Sequence, residues 1–253
     1  MASAVVPKAR GYDGEEDDYA DLEAGTRPEA SWSPASPDTP TVSVAAVAAG
    51  RVAAAAANVL LESAWGAAAR ATGDVVVGGA RAVRVHVSAG AALCVCGPGA
   101  AGDATAGLVA DALVEQGLGV APPVKVVQGV HVADVFGGGE EGVYGLDSDA
   151  WKERGVAWGA PEARRRLPAG IFVSGVAGAL LTRAAVLDQA AGLALVAFPG
   201  SSHGDALAVG TCLRLLEGAL GVPEDARLAG DARASAVRRA AARLVPDHGA
   251  MFT

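Results

Sequence analysis

The stretch TVSVAAVAAGRVAAAAANVLLESAW, residues 41–65, decides the fold class. Its opening, Thr41–Ala48, is a run of small aliphatic residues without charge, as expected of a strand buried on both faces. Gly50 then turns the chain, and Arg51–Trp65 continues as an alanine-rich helical run. A wholly apolar strand feeding into a helix is the unit from which layered α/β domains are built.

The same alternation recurs downstream. Ala71–Val77 is ambiguous, but Arg81–Ser88 sets Val83, Val85 and Val87 against Arg84 and His86, the period of a half-buried strand. Gly90 leads into the apolar strand Ala91–Cys96, and Asp103 or Thr105 is placed to cap a helix reaching about Gln116. Val124–Gln128 reads as another buried strand. Residues 137–168 break the rhythm with Gly137-Gly138-Gly139, Trp151, Trp158 and Arg164-Arg165-Arg166, and read as a long loop excursion holding at most a short helix. Order resumes at Ile171–Ser174 with a helix over about Gly175–Gln189, the strand Leu193–Phe198 and the helix Asp205–Leu220, stopped by Gly221 and Pro223. A last helix, about Ala232–Leu244, carries Arg238, Arg239 and Arg243 on a polar face. The expected architecture is one layered α/β domain over residues 41–248, with a central, mostly parallel or mixed sheet flanked by helices.

The chain carries a net charge of -8, and it is unevenly spread. Residues 1–40 hold nine acids against Lys8, Arg10 and Arg27, which is -6 and leaves about -2 for the rest. That segment, acidic and then rich in Pro and Ser, lacks the apolar content to offset its ordering entropy and reads as a disordered tail. A near-neutral body offers no basic footprint for nucleic acid. The first forty residues have the make-up of neither a secretory signal nor a transit peptide. The alanine-rich runs Val42–Leu61 and Ile171–Phe198 contain Arg51, Arg183 and Asp188, so they read as strand plus helix and no membrane partner is expected. Three cysteines, Cys94, Cys96 and Cys212, fit reduced thiols in a cytoplasmic or nuclear protein.

Two motifs raise enzymatic readings. Gly97-Pro98-Gly99-Ala100-Ala101-Gly102 matches the dinucleotide-binding G-x-G-x-x-G between a strand and a helix. The acid that should end the next strand is missing, since that strand ends near Gln128 and Asp134 is too distant. Gly200-Ser201-Ser202-His203-Gly204 matches a G-x-S-x-G nucleophile elbow, with Asp225 or Asp231 and His248 in triad order downstream. Only about fifty residues follow Ser202, and they read as helices, leaving no strand to position an acid and a histidine. Both motifs read better as tight strand–helix turns. Cys94 and Cys96 share a strand face without a second ligand pair, and His86 and His131 read as structural, so neither a metal site nor a cofactor is expected.

From Thr41 to Thr253 the order of segments resembles the proteasome assembly chaperone 1 family. The resemblance is carried by Leu61–Trp65 after the alanine-rich helix, by Val127–Asp134 (Val-Gln-Gly-Val-His-Val-Ala-Asp), by the block Leu167–Leu220, and by the ending Met251-Phe252-Thr253. It implies a non-catalytic chaperone of the 20S proteasome, pairing with proteasome assembly chaperone 2 and promoting α-ring formation. In that family a hydrophobic–tyrosine–any-residue tail enters a pocket between neighbouring α subunits. Carried over, Met251 is the aliphatic group, Phe252 the aromatic and Thr253 the bearer of the carboxylate, on a flexible tail over residues 249–253. Phe252 departs from the pattern, and the lost hydroxyl forfeits about 0.5–1.5 kcal/mol where it would be bonded. Burying Met251 and Phe252 contributes about 1.5–3 kcal/mol each, and a carboxylate–lysine bond about 1.5–3 kcal/mol. Association costs on the order of 4–15 kcal/mol, so the tail needs the body, and a partner's second tail, to bind.

Overall fold

The computed structural model describes residues 29–35, 41–97, 103–118, 122–132, 140–159, 164–199 and 202–244. In chain order the elements are β1 (Ala30–Pro34), β2 (Val44–Ala49), α1 (Gly50–Leu61), α2 (Ala64–Ala68), β3 (Arg70–Val77), β4 (Ala80–Ser88), β5 (Ala91–Cys96) and α3 (Asp103–Ala112). They continue with β6 (Val124–His131), β7 (Gly142–Asp147), α4 (Asp149–Glu153), β8 (Arg165–Arg166), α5 (Gly175–Val186), β9 (Ala191–Phe198), α6 (Ser202–Leu220) and α7 (Gly230–Ala242). Among the described residues nine strands form one mixed sheet in the order β1-β3-β4-β5-β2-β6-β9-β7-β8. β2 lies at its centre, parallel to β5 and β6, and β9 extends the parallel block. Antiparallel strands flank that block on both sides.

Each central strand is buried on both faces, and alternate residues divide between two cores. Ala45, Val47 and Ala49 of β2 face one side with Cys94, Cys96, Val126, Leu193 and Leu195, covered by α3 and α5. Ala46 and Ala48 face the other side with Leu93, Val127, Ala194 and Val196, covered by α1, α6 and α7. The apolar runs without alternation come from this two-sided burial. The small side chains let α1 sit very close to the sheet: a methyl group added at Gly129 would lie 2.7 Å from Val52 Cβ. Gly50 joins β2 to α1 at φ 78°, a left-handed conformation that glycine adopts without steric cost.

The layered α/β class agrees with the expectation, while several boundaries differ. The helical run expected over Arg51–Trp65 is two helices. Ser63 Oγ donates to Leu60 O at 2.6 Å and accepts from Gly66 N at 3.4 Å, ending α1 and capping α2. Ambiguous Ala71–Val77 belongs to β3, where Thr72-Gly73-Asp74 interrupts the apolar pattern and Arg84 of β4 holds Asp74 bidentately at 2.9 and 3.0 Å. The excursion 137–168 contains β7, α4 and β8. Ser148 caps α4 by accepting from Trp151 N at 3.2 Å, and also donates to Gln189 O at 2.9 Å, which ties α4 to the turn before β9. Of the two alanine-rich runs, Val42–Leu61 is β2 with α1 and Ile171–Phe198 is α5 with β9; among the described residues no helix is long and apolar enough to cross a membrane.

A strand, β1, lies inside the segment expected to be a tail. β1 pairs antiparallel with β3 at the sheet edge, where Pro34, lacking a donor, is tolerated. Trp32 explains why so polar a segment is held. Its ring lies over Gly73 and Gly117, so close that a Cβ there would fall 2.3 Å and 2.9 Å from ring carbons. Its backbone N–H donates to Gln116 Oε1 at 3.2 Å. One aromatic ring in a slot floored by two glycines thus supplies burial that an average over composition does not register.

The thiols belong to the cores. Cys94 and Cys96 lie on the α3–α5 face and Cys212 on the inner face of α6. Burial pushes Cys96 and Cys212 up to about 12, and Cys94 higher still, with the neighbouring Cys96 adding to it.

Two predictions follow from this packing. Trp32→Ala should lower stability by about 2–4 kcal/mol, as read from the urea midpoint, because the ring leaves a slot that cannot collapse around glycines. The folded chain keeps its thiol protons at pH values where the unfolded chain releases them. Thiol-linked stability is therefore complete below about pH 9 and is lost as pH rises toward 12. Each thiol adds up to about 1.4 kcal/mol per pH unit in that window, so a Cys94→Ala, Cys96→Ala, Cys212→Ala variant should show a distinctly flatter alkaline decline.

Candidate functional site

The residues expected to dock, Met251, Phe252 and Thr253, lie outside the described residues, as do Gly200, Ser201, His248, Asp134 and all of the Gly97–Gly102 run beyond Gly97. Ser202 opens α6 directly after β9, as an elbow would require. Its proposed acids are elsewhere. Asp225 lies in the turn beyond the far end of α6, and Asp231 in the first turn of the antiparallel α7. A helix of 19 residues spans about 28 Å, so neither carboxylate can orient a histidine at Ser202 and that triad is not assembled. His131 packs edge-on to Phe198 with ring centroids 6.2 Å apart. His86 is half-buried, and burial together with Arg84 pulls its pKa down.

What the fold does build is a crevice at the carboxyl ends of the central strands. The chain leaves β2 toward α1 on one face and leaves the adjacent parallel strand β5 toward α3 on the other. The two connections part above the sheet, and open α/β sheets bind ligands at such divergence points. A cavity of about 410 Å³ opens there, reached by the strand ends Ala49, Cys96 and Gln128. It runs along Ala54, Ala55 and Val59 of α1, with Ala240 of α7 and its C-cap Arg243 opposite. The Glu62–Arg239 ion pair at 3.0 Å lies at its far end. A second hollow of about 510 Å³ adjoins it, sharing Gln128 and bordered by His131, Phe172 and Phe198. Leu244, the last described residue, borders both.

Sequence reading missed three polar anchors, two of them buried and one half-buried. Lys125 of β6 is 7% exposed, its Nζ donating to Ala219 O at 2.9 Å and Trp158 O at 3.3 Å. It thus bonds the Ala219 carbonyl, in the last turn of α6 where no helical donor follows, and burial pulls its pKa down. A single charge inside the apolar strand Val124–Gln128 was the available signal. Glu217, 3% exposed on α6, takes a bidentate bond from Arg233 of α7 at 2.7 and 2.8 Å. Arg164 holds Asp147 at 2.8 and 3.1 Å while lying 4.5 Å over the Trp158 ring. These groups fasten helices and loops to the sheet; their partners are far apart in sequence, and no spacing announced them.

The apolar face of alanine-rich α1 is sealed against the sheet and α6–α7, so it is not the surface offered to a partner. Exposed large apolar groups lie elsewhere: Phe172 at 93% exposure beside the second hollow, Val186 and Leu187 at the end of α5, and Leu207 on α6.

No family model matches this chain, and no curated protein sequence does. Its fold is similar to that of Pyrococcus furiosus PbaA, an archaeal homolog of proteasome-assembly chaperone, with 16% identity, a TM-score of 0.57, and 88% of this chain and 97% of that one covered. It is equally similar to Pyrococcus furiosus PbaB, an archaeal proteasome activator, with 16% identity, a TM-score of 0.57, and 85% and 96% covered. A protein of unknown function from Thermoplasma acidophilum gives 11% identity and a TM-score of 0.55 over 94% and 96% of the two chains. At these identities the shared property is the fold, a single layered α/β domain.

Proposed function

We propose that this chain is an assembly chaperone of the 20S proteasome. It pairs with proteasome assembly chaperone 2, promotes α-ring formation, and docks through Met251, Phe252 and Thr253 without catalysing a reaction. The observation that carries this reading is the fold shared with PbaA over 88% of this chain and 97% of that one. PbaB, described as a proteasome activator, shares the same fold. The order of segments along the sequence resembles the same group of proteins.

The layout of the body fits docking by a tail. Leu244 borders the crevice edge, and Thr253 is the ninth residue after it. A chain of that length reaches at most about 30 Å from its root, so a tail engaged in a subunit pocket brings this edge of the body against the ring. Phe172, exposed on the same edge, is the apolar group placed to be covered there. Phe172 and the tail then act as linked contacts whose affinities multiply through effective concentration. The chaperone would act in the cytoplasm, and in the nucleus if assembly continues there.

The test is binding of the purified chaperone heterodimer to recombinant α subunits. Removal of residues 251–253 should weaken binding at least tenfold, and Phe252→Tyr should tighten it by up to about tenfold where the phenol finds an acceptor. Unchanged binding after removal would remove the tail from the mechanism, and absence of α-subunit binding by the intact heterodimer would overturn the chaperone reading.

A further inference from the structure

We propose that Ser33 is a phosphorylation site for a proline-directed protein kinase, and that its phosphate releases β1 from the edge of the sheet. The inference goes beyond the proteasome reading and does not rest on it.

The chain contains three Ser/Thr-Pro pairs, Ser33-Pro34, Ser36-Pro37 and Thr39-Pro40, all within residues 33–40. A kinase of this class takes an extended substrate in which proline follows the hydroxyl, a residue with a fixed φ and no N–H to satisfy. Of the three hydroxyls, Ser33 is the one among the described residues, and it is exposed on extended backbone. In the transfer, Ser33 Oγ attacks the γ-phosphorus of a nucleoside triphosphate. The new O–P bond forms as the bond to the bridging oxygen breaks; nucleoside diphosphate leaves, and the hydroxyl proton passes to the kinase's base.

The pairing of β1 makes the site conditional. β1 ends the sheet and is bonded on one side only, to β3. Ala35 N–H donates to Thr72 O at 2.9 Å. By the alternation of an antiparallel ladder, Ser33 with Asp74 and Ser31 with Val76 are then hydrogen-bonded pairs. Trp32, pointing to the opposite face, pins the strand through its ring over Gly73 and Gly117. A backbone engaged in this way cannot also lie in a kinase groove, so the kinase captures β1 when it detaches. Edge elements with few bonds are the first to open locally.

Charge then decides whether the strand returns. Residues directly opposite on one sheet face hold their Cβ atoms about 5 Å apart, and like charges there oppose pairing. A phosphate on Ser33, with a charge of about -1.5 to -2, faces the Asp74 carboxylate. The Arg84 guanidinium bonds that carboxylate at 2.9 and 3.0 Å and holds its pKa down, so it is ionised at neutral pH. Arg84 itself lies one strand further from Ser33 and is already engaged. Arg81 is also on β4, two strands away and exposed to water. His86 adds no charge at neutral pH, because burial and Arg84 pull its pKa down. The phosphate thus meets a carboxylate before any cation. Modification traps the detached strand, takes Trp32 out of its slot and leaves β3 as the edge of the sheet.

The test uses the full chain carrying Ser36→Ala and Thr39→Ala, incubated with ATP and a proline-directed serine/threonine kinase. Mass spectrometry should place one phosphate on Ser33, and Trp32→Phe, which loosens β1, should speed that modification severalfold. In the product, hydrogen exchange of the Asp74 and Val76 amides, which face β1, should rise at least tenfold. The Val75 amide, which faces β4, should keep its protection. Asp74→Asn removes the opposing charge and frees Arg84 for the phosphate, so it should abolish the rise. Absence of phosphate on Ser33 would overturn the proposal, as would an equal rate in the Trp32→Phe variant. Unchanged exchange at Asp74 and Val76 after phosphorylation would overturn it too, and so would a rise that Asp74→Asn leaves intact.

Discussion

The structure depends on burying β2 on both faces with side chains no larger than valine. A parallel strand hydrogen-bonded on both sides must be covered above and below, and Ala45–Ala49 accomplish this while keeping the layers thin. With a core that thin, α1 can approach β6 until only a glycine fits at position 129. That close approach fixes α1 over the sheet and, with α5 on the other face, sets two helix beginnings beside the same strand ends. The crevice follows from where those helices must start.

Some of this was legible along the chain because the controlling forces are local. Residues 41–65 announce a buried strand, a turn and a helix through composition and one glycine, and Gly221 with Pro223 marks the end of α6. Other features depend on partners remote in sequence. Trp32 looks like part of a Pro-Ser segment until Gly73 and Gly117 form a slot beneath it. β3 is obscure because Gly73 and Asp74 interrupt its apolar period, yet one serves that slot and the other binds Arg84 across the hairpin. Lys125 is a lone charge in an apolar strand, and only the fold brings the carbonyls of Ala219 and Trp158 to it. The crevice assembles Arg51, Gln128, Ser174 and Arg243, a set without any sequence spacing.

The two enzyme-like motifs each fall between a strand and a helix in sequence, Gly97–Gly102 between β5 and α3 and Gly200–Gly204 where α6 opens after β9. In the second case the downstream acids lie beyond the far end of α6, which removes the proposed triad. In the first, only Gly97 is described, and it borders the crevice. The proteasome reading rests on other ground: a chain-long likeness of fold, a resemblance in segment order, and an exposed Phe172 near the root of the tail. An α/β scaffold of this kind hosts many functions, so the fold likeness needs a direct test of partners.

That test is affinity purification of the tagged full chain from its own cells, with quantitative mass spectrometry of what accompanies it. The account predicts enrichment of proteasome α subunits together with a second, homologous chaperone, in excess over the β subunits that join later. Recovery without α subunits, or with α and β subunits in the equal amounts of mature particles, would contradict it.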